Sequence, residues 1–154
     1  MTIIEFQKFI YKNINLIGCT KIVFDETETT LEAMLFYSDY TMSFKVMNVH
    51  EGKDFEISYF SDEGSPFYFI EFEEQNDISW NELDKNKFEH VFDNALEVIE
   101  GEDSGWDIEK VTGLTRATVS KFRKGNNSLR ASNVGSLIAL SNYLCLKIIE
   151  IEIK

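Results

Sequence analysis

The chain has 154 residues, 44% apolar and 14% aromatic, with thirteen Phe and a net charge of −12. That is one ordinary domain or two very small ones, with enough apolar matter for a real core, which excludes a disordered chain. No run approaches the ~20 apolar residues that span a bilayer. Two Cys (Cys19, Cys145) and two His (His50, His90) stand too far apart for a zinc spacing, so a membrane protein, a disulfide scaffold and a zinc finger are excluded.

Met1-Thr2-Ile3-Ile4-Glu5 lacks the basic region and cleavage site of a signal peptide. The expected setting is therefore a reducing cytoplasm with both thiols free. Thr2 and Glu5 have capping-box spacing. Ile3, Phe6, Ile10, Ile14 and Ile17 then recur every three or four positions, predicting a helix that Gly18 stops. From Lys21 the period becomes two, giving strands at 21–25, 30–38, 41–49, 54–61 and 67–74. In the last of these, Tyr68, Ile70 and Phe72 share one face and Phe69, Glu71 and Glu73 the other. Met34 and Phe36 oppose Leu35 and Tyr37, so both faces of this sheet are apolar. Its second face calls for a cover, either the C-terminal half or another subunit.

Ser79 and Glu82 repeat the capping-box spacing, and Phe88, Val91, Phe92, Ala95, Leu96 and Ile99 form one helical stripe. Ser104 then caps a short helix with Ile108 and Val111 inside, ended by Gly113. Trp106 reads as a packing residue at its start. Leu114 alone separates Gly113 from Thr115, an N-cap for a helix that buries Val119 and Phe122 and stops at Gly125. A third helix from about Ser132 buries Val134, Leu137, Ile138, Leu140 and Leu144, with Cys145 in the core. Ile149, Ile151 and Ile153 alternate on one face of a closing strand, able to pair with the acidic half's sheet or with a mate.

The net charge hides a division. Residues 1–103 hold 23 acids against 7 bases, a net −16, and residues 104–154 hold 4 acids against 8 bases, a net +4. Two halves so different are expected to face different partners. The fold class is α+β: an N-terminal antiparallel sheet with a packed helix, then a small all-α helix-turn-helix domain and a C-terminal strand. The expected division is 1–80, 81–146 and 147–154.

Two short helices joined through a glycine turn, the second rich in small polar and basic side chains, are the signature of a helix-turn-helix. The stretch from Trp106 to Tyr143 resembles the Xre/Cro (lambda-repressor-like) family, in the form carried by phages and mobile elements. Ile108, Val111, the turn Thr112-Gly113-Leu114-Thr115 and the run Thr118-Val119-Ser120-Lys121-Phe122-Arg123-Lys124-Gly125 carry the likeness. The helix at 84–100 stands for the family's first; the usual fifth is replaced by the closing strand. The resemblance implies a sequence-specific regulator of transcription, a repressor of its own promoter, bound as a homodimer to a palindromic double-stranded operator. It assigns Arg116, Ala117, Thr118 and Lys121 to base edges, with Lys121 able to reach a base or a phosphate. Thr115, Arg123, Lys124, Asn126, Asn127 and Arg130 are assigned to phosphates.

Catalysis finds little support. Glu71 and Glu73 share a face, as do Asp54 and Glu56, yet no lysine stands among Glu71-Phe72-Glu73-Glu74-Gln75. Neither histidine has a neighbour arranged for nucleophilic work, and no phosphate loop is present. No enzyme, metal or cofactor is expected. The acidic half reads either as a dimerisation or partner-binding domain or as an inhibitor. In the second case Asp62, Glu63, Tyr68, Glu71, Glu73, Glu74 and Asp77 would mimic phosphates and stacked bases in a basic partner such as a CRISPR nuclease. That layout is similar to anti-CRISPR proteins fused to an autoregulatory helix-turn-helix. For any single carboxylate, a solvated surface is the commoner role.

Overall fold

Thr2 and Glu5 form the capping box that their spacing predicts: each backbone N–H donates to the other's side chain, at 3.3 and 3.2 Å. The helix they start, α1 (Ile3–Asn13), buries Phe6, Phe9 and Ile10. It ends short of the expected Ile17. The Asn13 amide donates to the Phe9 carbonyl, and the Asn15 side chain accepts the N–H of Ile17, so short polar side chains replace the helical ladder there. Gly18, at φ 85°, turns the chain into the sheet.

The structure is a computed structural model describing residues 1–47, 57–61, 85–125 and 129–154. The expected strand at 67–74, the Ser79–Glu82 capping box and all seven acidic or aromatic partner-binding candidates from Asp62 to Asp77 lie outside the described residues, as do Asn126 and Asn127. The architecture is α+β. Strands β1 (Cys19–Glu26), β2 (Thr30–Tyr37), β3 (Thr41–Met47) and β4 (Ile57–Ser61) form an antiparallel meander. A last strand, β5 (Glu150–Ile153), joins it in parallel beside β1, so the order is β4-β3-β2-β1-β5.

Register places Ile22, Phe24, Ala33, Leu35, Met42 and Phe44 on one face, all buried, and Phe6 of α1 meets Phe24 edge to face at 6.2 Å. On the other face Glu32, Met34, Phe36, Ser43 and Lys45 are half-buried. The period of two in the sequence therefore sorts the strands correctly, and the apolar residues of the second face are partly covered.

The helices that follow are α2 (Lys85–Glu100), α3 (Gly105–Thr112), α4 (Arg116–Arg123) and α5 (Val134–Cys145), with a 3-10 turn at Leu129–Ala131. Their core includes Val91, Ala95, Val98, Ile108, Val119, Leu137 and Leu140. Val98 takes the deep position for which Leu96 was expected; Leu96, Leu144 and Cys145 are half-buried. No helix among the described residues is long and apolar enough to cross a membrane.

The described residues of 1–7, 18–65 and 148–154 make up a sheet unit, and those of 8–17 and 66–147 a helical unit. This division differs from 1–80, 81–146 and 147–154 at both ends. Residues 8–17 go with the helices because Asn142, fully buried on α5, holds them. Its amide donates to the carbonyls of Tyr11 and Ile14, and its oxygen accepts the N–H of Leu16 at 2.9 Å. The closing strand goes with the sheet because β1 offers it a free edge.

Near the end of α5, the Tyr143 hydroxyl and the Lys147 ammonium both donate to one Asp103 oxygen at 2.7 Å. Lys147, then Tyr143, hold the Asp103 carboxyl below its ordinary range. Burial, then the Asp103 carboxylate, push Tyr143 from 10.0 up to about 12.

Two outcomes are expected. Asn142→Ala removes three hydrogen bonds, two of them buried, so it should lower stability in denaturant titration by about 2 kcal/mol or more; a loss under 1 kcal/mol would remove Asn142 from this role. For Tyr143 the folded state favours the protonated phenol, so its stabilisation is complete below pH 10.0 and is lost as pH rises toward about 12. A thermal-melt series over that interval should show a fall that is smaller in Tyr143→Phe.

Candidate nucleic-acid interface

Each end of α3 and α4 is fixed by a residue that the sequence marks. The Ser104 hydroxyl accepts the N–H of Asp107 at 3.1 Å to start α3. Gly113 ends it at φ 75°, donating its N–H to the Glu109 carbonyl. Thr112, fully buried, donates to the Ile108 carbonyl and accepts the N–H of Leu114, which makes the turn stiff. Thr115 caps α4 by accepting the N–H of Thr118, and the two hydroxyls are bonded at 2.9 Å. After Lys124, Gly125 again takes φ 75°.

Val119 and Phe122 are the buried side of α4. At 100° per residue, that turns Arg116, Ala117, Ser120, Lys121 and Lys124 outward. Arg116, Ala117, Lys121 and Lys124 are exposed, and Ser120 is half-buried. Of the four predicted base readers, Arg116, Ala117 and Lys121 thus share a face. Thr118 is set to its flank, with its hydroxyl occupied by Thr115.

Arg116 is held. Its Nε donates to Glu109 Oε2 at 3.1 Å, its backbone N–H donates to the same oxygen at 3.2 Å, and its guanidinium lies 4.5 Å from the Trp106 ring centre. Both terminal amino groups remain without a hydrogen bond among the described residues. Trp106 is not a packing residue at the helix start: it is 57% exposed and serves as the platform for Arg116. Trp106 and Glu109 stand three apart on one face of α3. That spacing opposite Arg116 is the signal for both in the sequence, and it lies outside the hydrophobic stripe of α3. A shallow hollow of about 360 Å³ runs beside them, lined by Gly105, Trp106, Arg116, Val119, Ser120, Arg123 and Lys124.

The predicted phosphate set separates. Arg123 has another partner: it donates to the carbonyls of Ile99 and Val98 at 3.1 Å and of Gly101 at 3.3 Å. Those carbonyls close α2, where the last turn has no basic residue of its own. A guanidinium fork satisfies them and faces the negative end of the helix dipole. Arg130 pairs with Glu89 at 3.4 and 3.5 Å and covers the ring of Phe92 at 4.0 Å. Lys121 and Lys124 make no ion pair among the described residues. No acid lies on α4, and Glu109, the acid nearest to Arg116 by sequence on α3, is neutralised by it.

Elsewhere, burial pushes the half-buried Cys145 thiol up, so it stays protonated and poorly nucleophilic. No family profile, curated protein or solved structure matches this chain.

Arg123 and Arg116 should therefore behave oppositely in a melt. Arg123→Ala removes the guanidinium donors from the carbonyls of Val98, Ile99 and Gly101 at the end of α2 and is expected to cost about 1–2 kcal/mol. Arg116→Ala, on an exposed face, should stay within about 0.5 kcal/mol of the parent.

Proposed function

We propose that this chain is a double-stranded DNA-binding regulator of the Xre/Cro type, a homodimeric repressor acting on its own promoter in the cytoplasm. The observation that carries the reading is the outward face of α4. A rigid, doubly capped turn presents Arg116, Ala117, Ser120, Lys121 and Lys124 with no acid among them. Glu109 engages only the Nε side of Arg116, leaving the two terminal amino groups in the fork that fits guanine O6 and N7. Ala117 suits a thymine methyl, and Ser120 adds a hydroxyl for either a base or a phosphate. Lys121 and Lys124 supply phosphate contacts. Arg123 and Arg130 drop out of the contact set because their side chains are engaged with α2.

The acidic half does not oppose this. At physiological salt the Debye length is about 8 Å, so carboxylates farther than that from the phosphates are largely screened. Its net −16 over residues 1–103 favours a second reading, an inhibitor domain that occupies the basic groove of a nucleic-acid enzyme while the helices control expression.

A titration with the duplex upstream of the gene, at about 150 mM salt and beside scrambled duplex, tests the first reading. Arg116→Ala should cost about 1–3 kcal/mol on the specific duplex and relax the preference at one base position. Lys121→Ala should weaken all duplexes alike and lower the salt slope by about one. Equal affinity for both duplexes would overturn the regulator reading.

A further inference from the structure

We infer that the outer edge of β5 is the dimerisation surface, and that its occupant is β5 of a second copy of this chain, run antiparallel about a two-fold axis at Glu152. The backbone sets the phase. Lys154 donates its N–H to the Phe24 carbonyl at 2.8 Å, so in this parallel ladder the even-numbered residues turn their N–H and C=O toward β1. Ile151 and Ile153 therefore turn theirs outward. No strand among the described residues takes them.

The side chains choose the partner. Ile151 and Ile153 lie in register with Ile22 and Phe24, continuing the buried apolar face of the sheet, yet they are 38% and 57% exposed. Such an edge ordinarily needs a cover or a charge to keep it from indiscriminate pairing. With the axis at Glu152, Ile151 faces Ile153 of the other copy as a doubly hydrogen-bonded pair, and the symmetry repeats it. Glu150 then faces Lys154 of the other copy, twice. At the axis the two Glu152 carboxylates meet, each already held by its own Lys21 at 3.1 Å. Moving the axis one residue, to Ile151, would set Glu150 against Glu152 of the other copy, and like charges directly opposite are destabilising. The charges along this edge thus disfavour the register centred on Ile151 relative to the one centred on Glu152.

The inference deepens the homodimer of the proposed regulator, and its test contains no DNA, so the two fail separately. Sedimentation equilibrium of the full chain at ~100 μM should give a dimer, since specific dimers assemble well below that concentration. Ile151→Pro removes an outward N–H without touching the β1 ladder and should yield a monomer with an unchanged circular-dichroism spectrum. Lys154→Glu turns two attractive cross-axis pairs repulsive, weakening the dimer by about tenfold. Glu150→Lys added to it restores opposite charges and should recover most of the affinity, which a merely structural role for either residue would not produce. A monomeric parent chain would overturn the inference. So would a dimer that is indifferent to Ile151→Pro, or a charge reversal that Glu150→Lys does not rescue.

Discussion

The carboxamide of Asn142 is the constraint on which the helical unit turns. One buried side chain bonds two carbonyls and one N–H at the end of the first helix, 126 to 131 positions away in sequence. A buried polar network of this kind stabilises only when complete, and here each atom of the amide is used. The aliphatic residues around it would tolerate several alternative packings. Asn142 tolerates one, so it also specifies where α1 stops and where the chain leaves for β1.

The arginines show how little a charge count says about a charged surface. Arg116, Arg123 and Arg130 lie within fifteen residues of sequence, and all three are exposed enough to look alike. Yet one fork closes the C-terminus of α2, one pairs with Glu89 across a phenyl ring, and one is braced by Glu109 and Trp106 with its terminal amino groups left over. The planar guanidinium makes each arrangement specific, where a lysine would offer a diffuse point charge. The outward electrostatics of α4 rest on fewer residues than its sequence contains, with the lysines supplying field and Arg116 supplying shape.

Local chemistry was legible in the sequence. The Thr2–Glu5 box, the Ser104 and Thr115 caps, and the left-handed Gly18, Gly113 and Gly125 each follow from a residue and its immediate neighbours, and strand limits fell within two or three residues where described. What escaped reading is held by partners distant in sequence. The early end of α1 goes with the reach of Asn142 from α5, and the parallel seat of β5 depends on β1 having a free edge. Arg123 sought the carbonyls of a helix two elements earlier. Trp106 escaped differently. Aromatic residues near a helix start are commonly packed, and only the presence of Arg116 across the turn gives this one another use.

Residues 11–24 are secured by residues 142–154, and this orders the steps by which these elements can assemble. The Asn142 bonds to residues 11–16 span up to 131 positions, and Lys154 reaches back to Phe24. During synthesis the meander β1–β2–β3 can close on its own hairpins as soon as it emerges. Its edge beside β1 stays open, and α1 stays unanchored, until residues beyond 142 have left the ribosome. The nascent chain therefore keeps an unfilled sheet edge and an unanchored first helix until residues 142–154 have emerged.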